Sequence, residues 1–141
     1  MTFNGLPLHP LVVHLTVVLV PVSVLLAWLS LHPRFRDRLR WPVVGLAVLG
    51  ALLTWFTVRT GESLLNARPF LHTLVQRHQT YANELKWWAY GFGLLAVVRG
   101  VLSDRPGAVR WLLAGLVIGV GAVVLAYLYL TGDAGARMVY G

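Results

Sequence analysis

Four long apolar stretches, parted by short polar segments, constrain this chain more than any other feature. They fall at residues 11–31, 41–60, 84–102 and 109–130. About 20 mostly apolar residues are needed for a helix to cross the roughly 30 Å hydrocarbon core of a bilayer. Backbone polar groups find no water there, so each stretch must satisfy its own hydrogen bonds as a helix. The expected fold is all-α: an integral membrane four-helix bundle forming a single transmembrane domain over residues 1–141. Composition agrees, with 57% hydrophobic and 12% charged residues, against about 25% charge in ordinary soluble domains. Trp41, Trp87, Trp88, Trp111, Tyr127 and Tyr129 lie near the ends of the stretches, as an interfacial aromatic belt requires.

The charge pattern sets an orientation. A net charge of +7 would raise nucleic acid as a partner of a soluble protein. Here the arginines gather in short connections, so the expected partner is the lipid bilayer and no nucleic acid. Residues 32–40 carry four arginines and residues 99–110 carry three. With four spans both segments lie on one side, which the positive-inside rule makes cytoplasmic. Both termini and the 60–86 connection then face outward. No charged residue precedes Arg34, and the first stretch is too long for a cleaved secretory signal. It reads as a retained first helix.

The 60–86 connection is itself patterned. Pro69 breaks it, and no proline follows before residue 102. A helix over 70–102 is about 50 Å long at 1.5 Å per residue, so the third helix is expected to extend beyond the outer surface. Leu71, Val75, His78, Ala82, Leu85 and Ala89 keep the 4-3-4-3-4 spacing of a packed seam. His72, Gln76, Gln79, Asn83 and Lys86 form a polar face, and a short helix over 62–67 would be capped by Glu62. Small-xxx-small pairs, Ala47 with Ala51 and Gly115 with Gly119, offer close helix packing. Pro21 predicts a kink in the first helix. No internal repeat is evident.

On this topology the polar groups converge. His9 and His14 stand at the outer end of the first helix, Glu62 after the second, His78 on the seam of the third and Asp133 after the fourth. Ionisable groups within a membrane segment are costly and mark function or pairing. With no cysteine, a thiolate metal site or iron–sulfur cluster is excluded. Imidazole suits zinc, copper, iron and nickel. Two imidazoles on facing helices also suit the axial positions of a b-type haem. His14 and His78 are the expected pair, with His9 as a further ligand or orienting group, and Glu62 and Asp133 completing a small-ion site. Each residue has a plainer reading. His9 before Pro10 suits helix entry, His14 a local carbonyl bond, His78 a wet seam and Asp133 a turn. His32 and His72 read as solvated.

Gly5-Leu6-Pro7-Leu8-His9-Pro10-Leu11-Val12-Val13-His14 resembles the opening motif, G-x-P-x-H-P-x-x-V-H, of the domain-of-unknown-function 2231 membrane proteins. Pro21 matches their later proline. Thr60-Gly61-Glu62 is similar to their small-Gly-Glu element, and His78 stands where they place a histidine before the third helix. Thr131-Gly132-Asp133-Ala134-Gly135-Ala136-Arg137 is similar to a C-terminal Gly-His-Ser-Gly-Ala-basic motif, with Asp133 where that motif has histidine. A carboxylate there weighs against haem ligation at that position. The resemblance covers essentially the whole chain and implies four helices in a bacterial inner membrane. Relatives fused to redox domains imply an electron-transfer setting.

The expected function is therefore a His-rich site at the outer leaflet that binds haem b or a transition-metal ion, with His14 and His78 as ligands. Haem is slightly favoured by the apolar bundle. Other membrane redox or complex subunits, or further copies of the chain, are expected partners. The rival is a cofactor-free accessory or assembly subunit of a larger membrane complex that docks through the third-helix extension. A proton or solute pathway is disfavoured by the few charged groups within the spans.

Overall fold

A computed structural model describes residues 1–141. It contains four long helices, α1 (Leu8–Leu29), α2 (Pro33–Ala67), α3 (His72–Leu102) and α4 (Ala108–Tyr140). A 3-10 turn, Pro69–Leu71, joins α2 to α3. Each helix packs on the next in sequence, and α4 returns to α1 through a smaller contact. Short connections make neighbours antiparallel. The start of α1, the end of α2, the start of α3 and the end of α4 thus share one end of the bundle, the histidine end. The opposite end is the arginine end.

A small hairpin precedes α1, with β1 (Thr2–Phe3) paired antiparallel to β2 (Leu6–Pro7). Asn4 (φ 48°) and Gly5 (φ 79°) form its turn. Asn-Gly is the favoured pair for such a two-residue turn, because both positions need positive φ. The Met1 amino group donates to Ser63 Oγ at 2.9 Å, tying the hairpin to the end of α2.

Prolines and caps set the helix ends. His32 accepts from the Arg34 N–H at 3.2 Å through its ring nitrogen, and Pro33 occupies the first turn of α2. The segment expected as an arginine loop is therefore the first turns of α2. Its arginines reach sideways: Arg40 donates to the Gly100 carbonyl at 2.6 Å and to Asp104 at 3.2 Å. From α3, Arg99 donates to Ser30 Oγ at 2.8 Å and Ser30 O at 2.9 Å. At the other end α2 runs unbroken to Ala67, so Glu62 lies inside it and caps no separate helix. α4 likewise continues to Tyr140, so Asp133 is helical rather than part of a turn. α1 continues through Pro21.

Packing is close where small residues meet. Gly93 of α3 sits against Ala47 and Ala51 of α2, the small pair expected to make such a contact. On α4 the expected pair, Gly115 and Gly119, faces open space. Gly121 makes the close approach instead, under Trp28 and Val24 of α1. Trp28 Nε1 donates to the Val117 carbonyl at 3.2 Å. Val20, Val24, Ala47, Phe92, Val117 and Val124 form the centre of the core.

Only 23 of 141 residues are buried, and Leu, Val and Trp side chains cover much of the exposed surface. Patches of that extent mark an apolar environment. α1, α2 and α4 are each long and apolar enough to cross a membrane. α3 is outside that group because its first half carries His72, Gln76, Arg77, Glu84 and Lys86. At 1.5 Å per residue, α2, α3 and α4 are all longer than the roughly 30 Å hydrocarbon core. Excess length is thus common to three helices rather than peculiar to α3.

Candidate functional site

The histidine end brings together two rings from two helices. His9 opens α1 and lies against the last turns of α2. Its Nδ1 is 3.0 Å from the Thr57 carbonyl and 3.3 Å from Thr60 Oγ1. His78, near the start of α3, lies against α4 with Nδ1 2.9 Å from the Thr131 carbonyl. A carbonyl can only accept, so both rings carry their proton on Nδ1. In the neutral form of either ring, Nε2 is then the nitrogen that can accept or ligate. The ring centroids are 6.4 Å apart and the planes nearly perpendicular, at 87°.

The two rings are seated by one device used twice. Thr57 and Gly61 are four residues apart on α2, as are Thr131 and Gly135 on α4. In each case the threonine carbonyl fixes Nδ1 and the glycine one turn later leaves room for the ring. A Cβ on Gly61 would lie 3.0 Å from His9 Cε1, and one on Gly135 3.2 Å from His78 Nδ1. Equivalent positions one helical turn apart lie on one face. Two residues at a four-residue spacing are too short a pattern to stand out as a repeat without the partner rings.

His9 and His78 stand between two small cavities. One, about 160 Å³, is also lined by Glu62, Gln79, Asn83 and Met138. The other, about 80 Å³, lies deeper and is lined by Thr16, Thr54, Thr57 and Thr131. Thr16 and Thr57 share a hydroxyl–hydroxyl bond of 2.8 Å between α1 and α2. The deeper threonines also bond carbonyls of their own helices, so their hydroxyls are satisfied.

The other expected ligands do not join this group. His14 is exposed, and its Nδ1 contacts the Pro10 carbonyl of its own helix. Five positions separate it from His9, which turns it away from the seam that His9 enters. The pairing of His14 with His78 is therefore replaced by His9 with His78. Glu62 borders the larger cavity and pairs with Arg59 at 3.7 Å. Asp133 pairs with Arg137 at 2.7 Å, one turn along α4, and faces neither cavity. No three His, Asp or Glu side chains are assembled to hold a metal ion together, so the five-residue set His9, His14, His78, Glu62 and Asp133 does not converge. The places of Met138, Thr57 and Thr131 beside the histidines were not expected from the sequence. Each becomes recognisable only once a histidine from another helix lies against it.

The family described as predicted membrane protein (DUF2231) matches residues 5–141, and the chain belongs to it. No curated protein matches the chain, and no solved structure does.

Proposed function

We propose that this DUF2231 protein binds one transition-metal ion at the histidine end of its membrane bundle, through Nε2 of His9 and His78. The observation that carries the reading is the matched pair of Nδ1 bonds to the Thr57 and Thr131 carbonyls. Metal-ligating histidines characteristically donate their other ring nitrogen in this way, which fixes the tautomer and raises ligand basicity. The ring centroids lie 6.4 Å apart, a separation one ion bonded at about 2.0–2.1 Å to each imidazole can span. Size favours an ion over haem b. The cavities of about 160 and 80 Å³ fall below the roughly 300 Å³ at which small-molecule sites begin.

In this reading α3 also crosses the bilayer, its half from Trp87 onward carrying one charge, Arg99. The arginine end, with Arg34, Arg36, Arg38, Arg40, Arg99, Arg105 and Arg110, faces the cytoplasm of a bacterial inner membrane. The site and both termini then face outward, where a redox partner could reach them.

The test is elemental analysis and an absorption spectrum of detergent-extracted protein, as isolated and after incubation with copper, zinc and iron salts. One equivalent of metal is expected, lost in His9→Ala and in His78→Ala and retained in His14→Ala. A Soret band lost with the same two variants would replace the ion by haem. Metal retained in both variants would overturn the site.

A second reading has its own observation. Phe70 and Leu74 are 72% and 66% exposed beside the polar start of α3, where an accessory subunit would dock. If no metal binds, Phe70→Ser with Leu74→Ser should release co-purifying subunits while both histidines prove dispensable.

A further inference from the structure

The chain has no cysteine and two methionines, so its only sulfur atoms are in Met1 and Met138. Both lie at the histidine end, since the Met1 amino group bonds Ser63 and Met138 is in the last turns of α4. Met138 lines the cavity that His9 and His78 line. It follows Gly135, which seats the His78 ring, by three residues and so shares its face of α4.

We infer that the site selects copper(I), with the Met138 thioether as third donor beside Nε2 of His9 and His78. This inference rests on the metal-binding reading above. The type of donor carries it. Asp133 bonds Arg137 at 2.7 Å and stays out of the cavity, while Glu62 borders it beside Arg59 at 3.7 Å. Beside Glu62 the donors lining the cavity are two imidazoles, a thioether, and the side-chain amides of Gln79 and Asn83. Structural zinc asks for four donors, usually including thiolates, and calcium or magnesium for a cage of oxygens. Soft thioether sulfur selects copper(I). The methionine side chain has three rotatable bonds and can close over an ion entering from the open side. Its 39% exposure places it at that border.

The experiment uses the full chain in detergent without oxygen. Copper(I) is supplied against bicinchoninate as competing chelator, and zinc(II) is titrated in parallel. One copper(I) per chain is expected, held more tightly than zinc(II). Met138→Leu keeps side-chain volume while removing the sulfur. Its copper(I) affinity should fall by on the order of tenfold or more, since even supporting residues around a metal cost about 10–100-fold, and its zinc(II) affinity should be unchanged. Equal copper(I) affinity in wild type and Met138→Leu overturns the inference, as does tighter binding of zinc(II). In both cases metal lost from His9→Ala and His78→Ala leaves the histidine reading standing. Copper(I) binding that survives both histidine variants overturns the two together.

Discussion

A glycine decides where each imidazole can sit. Gly61 and Gly135 are helical, and nothing in their backbone requires glycine. What requires it is the ring above, 3.0 Å from a built Cβ at Gly61 and 3.2 Å at Gly135. Gly61→Ala should therefore push the His9 ring from the Thr57 carbonyl, with an overpacking cost of about 1–3 kcal/mol. Gly135→Ala should do the same to His78 more mildly. Thermal unfolding in detergent and metal content would check this, and metal uptake should fall in both. Gly91→Ala is the control, since open space surrounds it and alanine favours a helix by about 1 kcal/mol. Equal behaviour of the three variants would remove the seating role. The Thr60-Gly61-Glu62 motif was visible in the sequence. The reason for its glycine was not, because the ring that needs it comes from another helix.

The helices are held at opposite ends by different chemistry. At the arginine end, side chains reach across to carbonyl groups. Arg99, on α3, satisfies both oxygens of Ser30 just past the end of α1. Arg99→Ala should destabilise the bundle by about 1–3 kcal/mol, because it leaves a buried acceptor without its donor. Arg99→Lys should restore only part of this, since an ammonium lacks the two-pronged geometry of guanidinium. Within the bundle, small residues set the approach. Gly121→Ala places a Cβ 2.8 Å from Trp28 Nε1 and should be destabilising, whereas Gly119→Ala meets nothing and should be neutral or slightly stabilising. Comparing unfolding midpoints of the two separates contact from propensity. Periodicity put Leu85 and Ala89 on the buried face of α3, His78 half-buried and His72 exposed, but Gln79 and Asn83, expected on the polar face, line the cavity beside His78. It could not choose between Gly115, Gly119 and Gly121, because glycine spacing alone does not say which face of α4 meets α1.

As a whole the molecule is polarised. Seven of its 12 basic residues, all arginine, lie at one end, and its histidine pair and both termini lie at the other. The absence of native cysteine makes the orientation directly measurable. Thr73→Cys, at the histidine end, should react with a membrane-impermeant maleimide in intact spheroplasts. Arg105→Cys, in the turn between α3 and α4, should react only after permeabilisation. The reverse pattern would invert the proposed orientation and place the site at the cytoplasmic face.

The sequence by itself determined the membrane class, the four helices and the family, because each follows from apolar length and from a contiguous motif, both local properties. It also placed His9, Glu62, His78 and Asp133 at one end, since topology needs only the order of the helices. Tertiary structure alone decided which of them meet. His14 and His9 are five residues apart and so on different faces of α1, but the spacing does not say which face meets α2 while the entry angle of α1 is unknown. That angle is set by the Asn4-Gly5 hairpin tied to Ser63 and by the Thr57 carbonyl on α2. The same holds for Met138 and the two glycine seats. Their roles exist only where α2 and α4 lie against histidines brought from other helices, and no local pattern carries that pairing.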